Sequence, residues 1–406
     1  MLFQEKKNLF LTHKDYFNEN MAVSPIPNTY FHLFYVIKKI LFIFGLDITN
    51  NDDKITRHHF FYQKAISFMW IIFIIVAVVS FTTIDIHIGS NVQSMLFRKS
   101  SDISTFLIWS VMKTRENAIY SLLHDMNTLR YVLGIRIPSF WIWLIVALIF
   151  AVPLLAWLSV VVFLDEEDCK RLVLYYSFKL VSVSDGYYCR ISGIILFLSC
   201  LLIHTLRTTV TILYIAICCL LRSLLKKHSE MGIKKLEKKI NAFHYKRCQN
   251  YVDFYKHVTE ISNSFEKVMS LPVFLIIIGD CLGMFYGFLK YEDTKRSMEF
   301  YDVNYRFAIL FLALRSLVSF LCVAFAAASV YESSKDVKKI QEKLTESLLA
   351  SGEKIDNQQL FLLLLAQSNP PTVLSAWGFF NFKRNLVISV FGIVLTYSLL
   401  MIQIMN

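Results

Sequence analysis

Seven apolar stretches, at about 64–88, 92–112, 139–164, 187–221, 265–289, 306–331 and 384–405, are each near or above the length a membrane-spanning helix needs. A hydrocarbon core of roughly 30 Å requires about 20 such residues per helix. A chain of 406 residues with 55% hydrophobic and only 18% charged residues, at a mean hydropathy of +0.49, has too little polar surface to wrap these runs in a soluble core. The sequence belongs in a bilayer, and the expected fold is all-α. The second stretch is the least apolar, because Arg98, Lys99, Asp102 and Lys113 crowd its ends. An eighth, YFHLFYVIKKILFIFGL (30–46), carries Lys38 and Lys39 at its centre and reads as an amphipathic helix lying on the membrane.

The opening MLFQEKKNLF has charge where a cleavable signal needs an apolar run, which predicts a cytoplasmic N-terminus. Lysine and arginine accumulate on the cytoplasmic side of membrane proteins. With the N-terminus inside, 30 of the 42 fall in cytoplasmic segments and 10 outside, so the C-terminus is expected outside. The net charge of +11 then reflects topology and gives no reason to expect a nucleic-acid partner. This orientation is the reverse of a G-protein-coupled receptor, and Asn369-Pro370-Pro371 lies before the last span, where such receptors carry Asn-Pro within it.

The expected division is a cytoplasmic N-terminal segment (1–63), six spans (64–331) with a helical cytoplasmic extension at 222–267, a cytoplasmic helical stretch with a Pro/Gly turn (332–383), and the last span (384–406). In the extension, Leu224, Ile233, Leu236, Ile240 and Phe243 recur at roughly helical spacing without proline, so the fourth and fifth spans are free to continue inward. Val337, Ile340, Leu344 and Leu348 form a second apolar stripe. Pro370, Pro371 and Gly378 then predict a turn.

The last span carries a second pattern. Stepping back from Asn406 by alternate threes and fours gives Gln403, Leu399, Thr396, Gly392, Ser389 and Asn385, a polar or small seam on one face of an otherwise apolar helix. Two readings fit it. Small and weakly polar residues mediate packing between membrane helices; alternatively, several copies line a water-filled path, which requires an oligomer around an axis. Tyr397 lies off this seam.

The stretch AWGFFNFKRNLVISVFGIVLTYSLLMIQI (376–404) resembles the C-terminal signature of the arthropod gustatory receptor family, whose core is Thr-Tyr, five mostly apolar residues, then Gln-Phe. Thr396, Tyr397, SLLMI and Gln403 match it, with Gly378, Phe379, Phe380, Arg384 and Gly392 in family style upstream. Ile404 stands where the family has phenylalanine. The resemblance implies a tetrameric, ligand-gated cation channel of the plasma membrane of chemosensory cells. Its last helix would line the pore, with Gln403 and Ile404 at an extracellular gate and the cytoplasmic helices joining the subunits. Its partners would be a small tastant (a sugar or a bitter compound), permeating cations, membrane lipids, further copies of the chain and co-receptor subunits.

A pocket among the outer halves of spans two to six would draw on Asp102, Trp109, Trp157, Tyr187, Tyr188, Asp280, Tyr286, Tyr305 and Arg315. Aromatic packing or an interfacial belt is the competing role for the rings. A charge inside a span faces the protein interior, so Asp280 and Arg315, at comparable depth, are expected either to pair or to serve separately; Arg207 and His204 are placed deeper, near the inner interface. Cys169 and Cys189 share an outside loop, where a disulfide or two free thiols are both open. No cysteine or histidine spacing supports a metal, and no phosphate loop, nucleophile elbow or HExxH supports an enzyme or cofactor. A secondary transporter is the main rival, but no internal repeat favours it.

Overall fold

In the computed structural model, the described residues are 32–48, 57–80, 92–132, 139–167, 169–170, 173, 187–237, 245–296, 303–350, 364, 367–368 and 370–404. They form nine helices and one short hairpin: α1 (His32–Ile43), α2 (Arg57–Ser80), α3 (Val92–Thr114), α4 (Glu116–Val132), α5 (Ser139–Val161), α6 (Tyr188–Glu237), α7 (Tyr245–Arg296), α8 (Val303–Ala350), β1 (Ser375–Ala376), β2 (Phe380–Asn381) and α9 (Arg384–Ile404). Each expected span falls on a helix over its described residues, and the N-terminal amphipathic stretch supplies α1. Among the described residues, α5, α6, α7 and α8 are long and apolar enough to cross a membrane by length and composition.

The 50, 52 and 48 residues of α6, α7 and α8 make rods of about 72–78 Å at 1.5 Å per residue, more than twice a hydrocarbon core. The helices expected to carry spans four and five do continue past them, α6 to Glu237 and α7 from Tyr245. The sixth span continues too: the stripe at Val337, Ile340 and Leu344 is not a separate element but the far end of α8. These three helices pack on one another around the main core, with Leu206, Val210, Leu213, Ile276, Phe320 and Val323 buried between them.

Close approach is built into α7. Gly279, Gly283 and Gly287 recur every four residues, and a side chain at any of them would meet a neighbour: the Arg207 guanidinium, the Ser316 hydroxyl and the Ala313 Cβ respectively. Small residues at this spacing let membrane helices touch backbone to side chain. The same helix tolerates Pro272. Proline has no N–H for the carbonyl four residues back; Arg115 supplies one, its Nη1 donating to Val268 O at 2.7 Å and to Lys267 O at 2.9 Å.

Helix α1 is amphipathic as expected, but the bundle itself takes much of its apolar face: Ile37, Ile40 and Leu41 are buried in the core. Gly45, at φ +76°, ends the helix with Gly45 N–H donating to Phe42 O (2.9 Å) and Leu46 N–H to Leu41 O (3.0 Å), a left-handed cap that suits glycine. The α3–α4 corner grips that cap. Trp109 Nε1–H donates to Phe44 O (3.0 Å), Lys113 Nζ to Gly45 O (2.7 Å), and Asp47 N–H to Glu116 Oε1 (2.7 Å).

At the other end of the chain the expected turn is a hairpin, a small departure from an all-α fold. Trp377 and Gly378 both have positive φ, and Phe379 N–H donates to Ala376 O at 3.0 Å. Glu266 on α7 holds β1 by accepting from the Ser375 N–H and hydroxyl. Thr372 N–H donates to Ser334 Oγ on α8 (2.9 Å), and Arg384 at the start of α9 pairs with Glu332 on α8, Nη2 to Oε2 at 2.6 Å. The foot of α9 is thus fixed to both α7 and α8. A disulfide joins Cys169 to Cys189 in the first turn of α6, resolving the alternatives the sequence left open.

Candidate functional site

Helix α9 meets the bundle along one side only. Leu386, Val387, Val390 and Val394 pack on the core. Asn385, Ser389, Gly392, Thr396, Leu399 and Gln403, the whole described part of the seam, are exposed. At 100° per residue Val394 lies about 200° around from Gly392, so the seam points away from the bundle. It runs about 27 Å from Asn385 to Gln403. Apolar flanks at Ile388, Phe391, Ile393, Tyr397 and Leu400 are exposed as well. A single copy therefore leaves both a polar track and its greasy borders without partners. The side chain of Ile404 lies outside the described part of the structure, as does that of Tyr305.

A second polar feature lies inside the bundle. Arg207 on α6 and Asp280 on α7, 2% and 0% exposed at the side chain, form an ion pair, Nη2 to Oδ1 at 2.7 Å. The same Nη2 donates to Ile276 O at 2.9 Å, and Gly279 leaves room for the guanidinium against the α7 backbone. The sequence left Asp280 and Arg315 either to pair or to serve separately; the direct partner of Asp280 is Arg207, which the sequence placed nearer the inner interface. The two residues meet because α6 and α7 pack side by side at this height, an offset that no spacing within either helix records.

Arg315 lies on α8 next to Ser316, whose hydroxyl meets Gly283, three residues along α7 from Asp280. Arg315 Nε and Nη1 are buried without a hydrogen-bond partner in the protein, as are Arg207 Nε, His204 Nδ1 and the hydroxyls of Thr205 and Ser316. Asp102 lies on α3, which packs on α6 and α7. Arg207, Asp280 and Arg315 thus lie on three helices packed on one another, with Arg207 as the member that sequence reasoning assigned elsewhere. The Gly279–Gly283–Gly287 run was the signal for it, since it marks the face of α7 that α6 and α8 approach.

Of the remaining pocket candidates, Trp109, Trp157 and Tyr188 have other contacts. Trp109 stacks on Trp70 (5.6 Å between ring centroids) and Phe106 (5.8 Å) while gripping α1. Trp157 donates to Gly193 O (2.9 Å) and meets Phe197 edge-on, clamping α5 to α6. Tyr188 is buried beside Cys169 and Val173, next to the disulfide; Tyr187 is exposed, with the Arg190 guanidinium 5.9 Å from its ring. Tyr286 is partly buried on α7. Trp109, Trp157 and Tyr188 thus take the packing role that was open to them from the start.

A family model described as 7tm Chemosensory receptor matches residues 103–405. Gustatory and pheromone receptor 39a, isoform D, of Drosophila melanogaster is 23% identical over 198 residues, 48% of this chain and 50% of that protein. The chain thus spans about half the length of this curated relative. Among solved structures, the insect olfactory receptor OR5 of Machilis hrabei is similar in fold both in complex with eugenol (TM-score 0.67, 11% identity) and without it (TM-score 0.65, 12% identity). Each likeness covers 93% of this chain and 100% of the other.

Proposed function

Because the chain belongs to the 7tm chemosensory receptor family, a family of receptors and not of enzymes, we propose that it is a tastant-gated, non-selective cation channel of the plasma membrane, working as a tetramer. The exposed seam of α9 is the observation that carries this reading. In a bilayer, five exposed polar or small positions, with Leu399 among them on the same face, need either water or a helix partner. Four copies around an axis supply both, with the seams facing a water path and the flanking Ile388, Ile393 and Leu400 meeting lipid or the neighbouring subunits. The seam bears no formal charge, which suits weak selectivity among cations. Gln403 lies at its far end from the Arg384 foot and, with Ile404, forms the outer gate.

In this reading the N-terminus is cytoplasmic and the C-terminus outside, and the long inner ends of α6, α7 and α8 join the subunits. The ligand binds at the buried cluster of Asp102, Arg207, Asp280 and Arg315, stabilising the open state by binding it better than the closed one.

The test is recording from cells expressing the full chain, with surface labelling as a control. Substituting Gln403 by alanine, glutamate or lysine should change conductance or ion selectivity at near-normal surface levels. Unchanged single-channel currents across the three would refute the pore assignment.

A further inference from the structure

We infer that Arg115 is a positioning residue for the foot of α9: it latches a hinge in α7 at Pro272, and the hairpin that leads into α9 straddles that hinge. What α9 does rests on the receptor reading above; the hinge and its latch do not.

Pro272 leaves the hydrogen-bond ladder of α7 open at one rung. The N–H that would answer Val268 O is absent, and Leu271, preceding a proline, is biased away from helical geometry. Long helices bend at such openings, because the turns on either side are joined by one hydrogen bond fewer. Helix α7 nevertheless runs unbroken from Tyr245 to Arg296, and the group that fills the opening comes from elsewhere: Arg115 Nη1 donates to Val268 O at 2.7 Å and to Lys267 O at 2.9 Å, one charged donor shared by two adjacent carbonyls. A donor on α7 would move with the helix. Arg115 instead sits between α3 and α4, on the corner that Trp109, Lys113 and Glu116 fix to the cap of α1. Its bonds tie the bend of α7 to a part of the molecule that does not bend with it.

The hairpin touches α7 on both sides of the opening. Before Pro272, Glu266 accepts from the Ser375 N–H at 3.0 Å and from the Ser375 hydroxyl. Beyond it, eight residues or about 12 Å along the helix, Phe274 stacks on Phe379 with ring centroids 4.8 Å apart and leans against Trp377 at 5.5 Å. Two anchors on opposite sides of a hinge cannot both keep their places when it bends, so the hairpin must turn with one of them. Its turn is tight, with Trp377 and Gly378 both at positive φ, and Phe382 N–H closes it onto Leu374 O at 2.9 Å. Arg384, the first residue of α9, follows two residues after Phe382. A bend at Pro272 therefore arrives at the foot of α9 through a short, hydrogen-bonded connection. Were Arg115 only answering a stray carbonyl, its loss would disturb α7 alone; as a latch on this hinge, its loss disturbs the hairpin too.

The experiment is hydrogen exchange on the full chain purified in detergent, followed in peptides covering 264–276 of α7 and 374–382 of the hairpin. Arg115→Ala should speed exchange about tenfold or more in both segments, the factor for losing a hydrogen bond from a charged donor, while the Gly279–Gly287 part of α7 keeps its protection. Arg115→Lys, which still offers a charged donor, should retain part of the protection. Pro272→Ala restores the missing N–H, and in that background Arg115→Ala should alter neither segment. Faster exchange in α7 with the hairpin unchanged overturns the inference, as does faster exchange spread over all of α6, α7 and α8, or an effect of Arg115→Ala that persists beside Pro272→Ala. A double variant that can be purified where Arg115→Ala cannot is the same rescue; a double variant lost along with it also overturns the inference. None of these readouts needs a current, so the Gln403 series can fail while the hinge stands, and the hinge can fail while that series holds.

Discussion

Truncating Asp280 to alanine takes away the carboxylate that balances Arg207. The guanidinium would keep its bond to Ile276 O but stay in a site where its side chain is 2% exposed, with its one charged partner gone. Breaking a buried ion pair from one side costs about 3–5 kcal/mol, roughly a 150- to 5,000-fold loss in the ratio of folded to unfolded protein. Asp280→Asn retains an acceptor oxygen and should fall between the wild type and the alanine variant. The double change Arg207→Met with Asp280→Leu removes both ions and their desolvation, and should recover most of the loss. Non-additivity is thus the signature, with a coupling of at least about 2 kcal/mol for groups in direct contact. Thermal unfolding of the detergent-purified receptor, followed by size-exclusion fluorescence, reads all four proteins. An alanine variant as stable as the wild type, or a double variant that loses the sum of its singles, would refute the pairing.

Gly283→Val would press a branched side chain on the Ser316 hydroxyl and should cost about 1–3 kcal/mol, partly restored by Ser316→Gly; the same melts check it, and no rescue would mean the strain lies elsewhere. Burial pushes the Glu116 carboxyl above its ordinary value of 4.5, against the opposing pull of Lys113 at 2.9 Å and of the Asp47 N–H. A raised acid pKa means that its contribution to stability is fully present below the ordinary value and is lost as pH rises through the raised one. Hydrogen exchange at residues 44–48, corrected for intrinsic rates, should therefore show the α1 cap loosening over that window in the wild type and not in Glu116→Gln. Parallel profiles would count against it.

Much of this architecture was legible because it depends on one helix at a time. Apolar length marked the spans, Pro370, Pro371 and Gly378 marked the turn that became the hairpin, and three-four spacing marked the seam that α9 leaves exposed. What escaped depends on two helices at once. Arg207 finds Asp280 through the rotation and depth of α6 against α7, and no periodicity within either records that offset. Arg115 reaching Val268 O is similar: Pro272 announces an orphaned carbonyl, but the donor comes from a corner more than 150 residues earlier in the chain. Trp109 looked like a ligand-facing ring by depth, and its actual task, gripping the cap of α1, required knowing that α1 docks into the α3–α4 corner. The glycine run on α7 carried the missing information, since three glycines on one face state which side the neighbours approach.

The continuity of α8 gives the molecule a lever. Arg315 and Glu332 belong to one unbroken helix, 17 residues and about 25 Å apart, and Glu332 grips Arg384 at the foot of α9. Tilting a rigid rod of that length by about 5° swings its end by about 2 Å, the width of an atom and comparable to the shifts by which helices slide in switching proteins. A disturbance too small to repack the core around Arg315 thus arrives at the base of the polar helix already magnified.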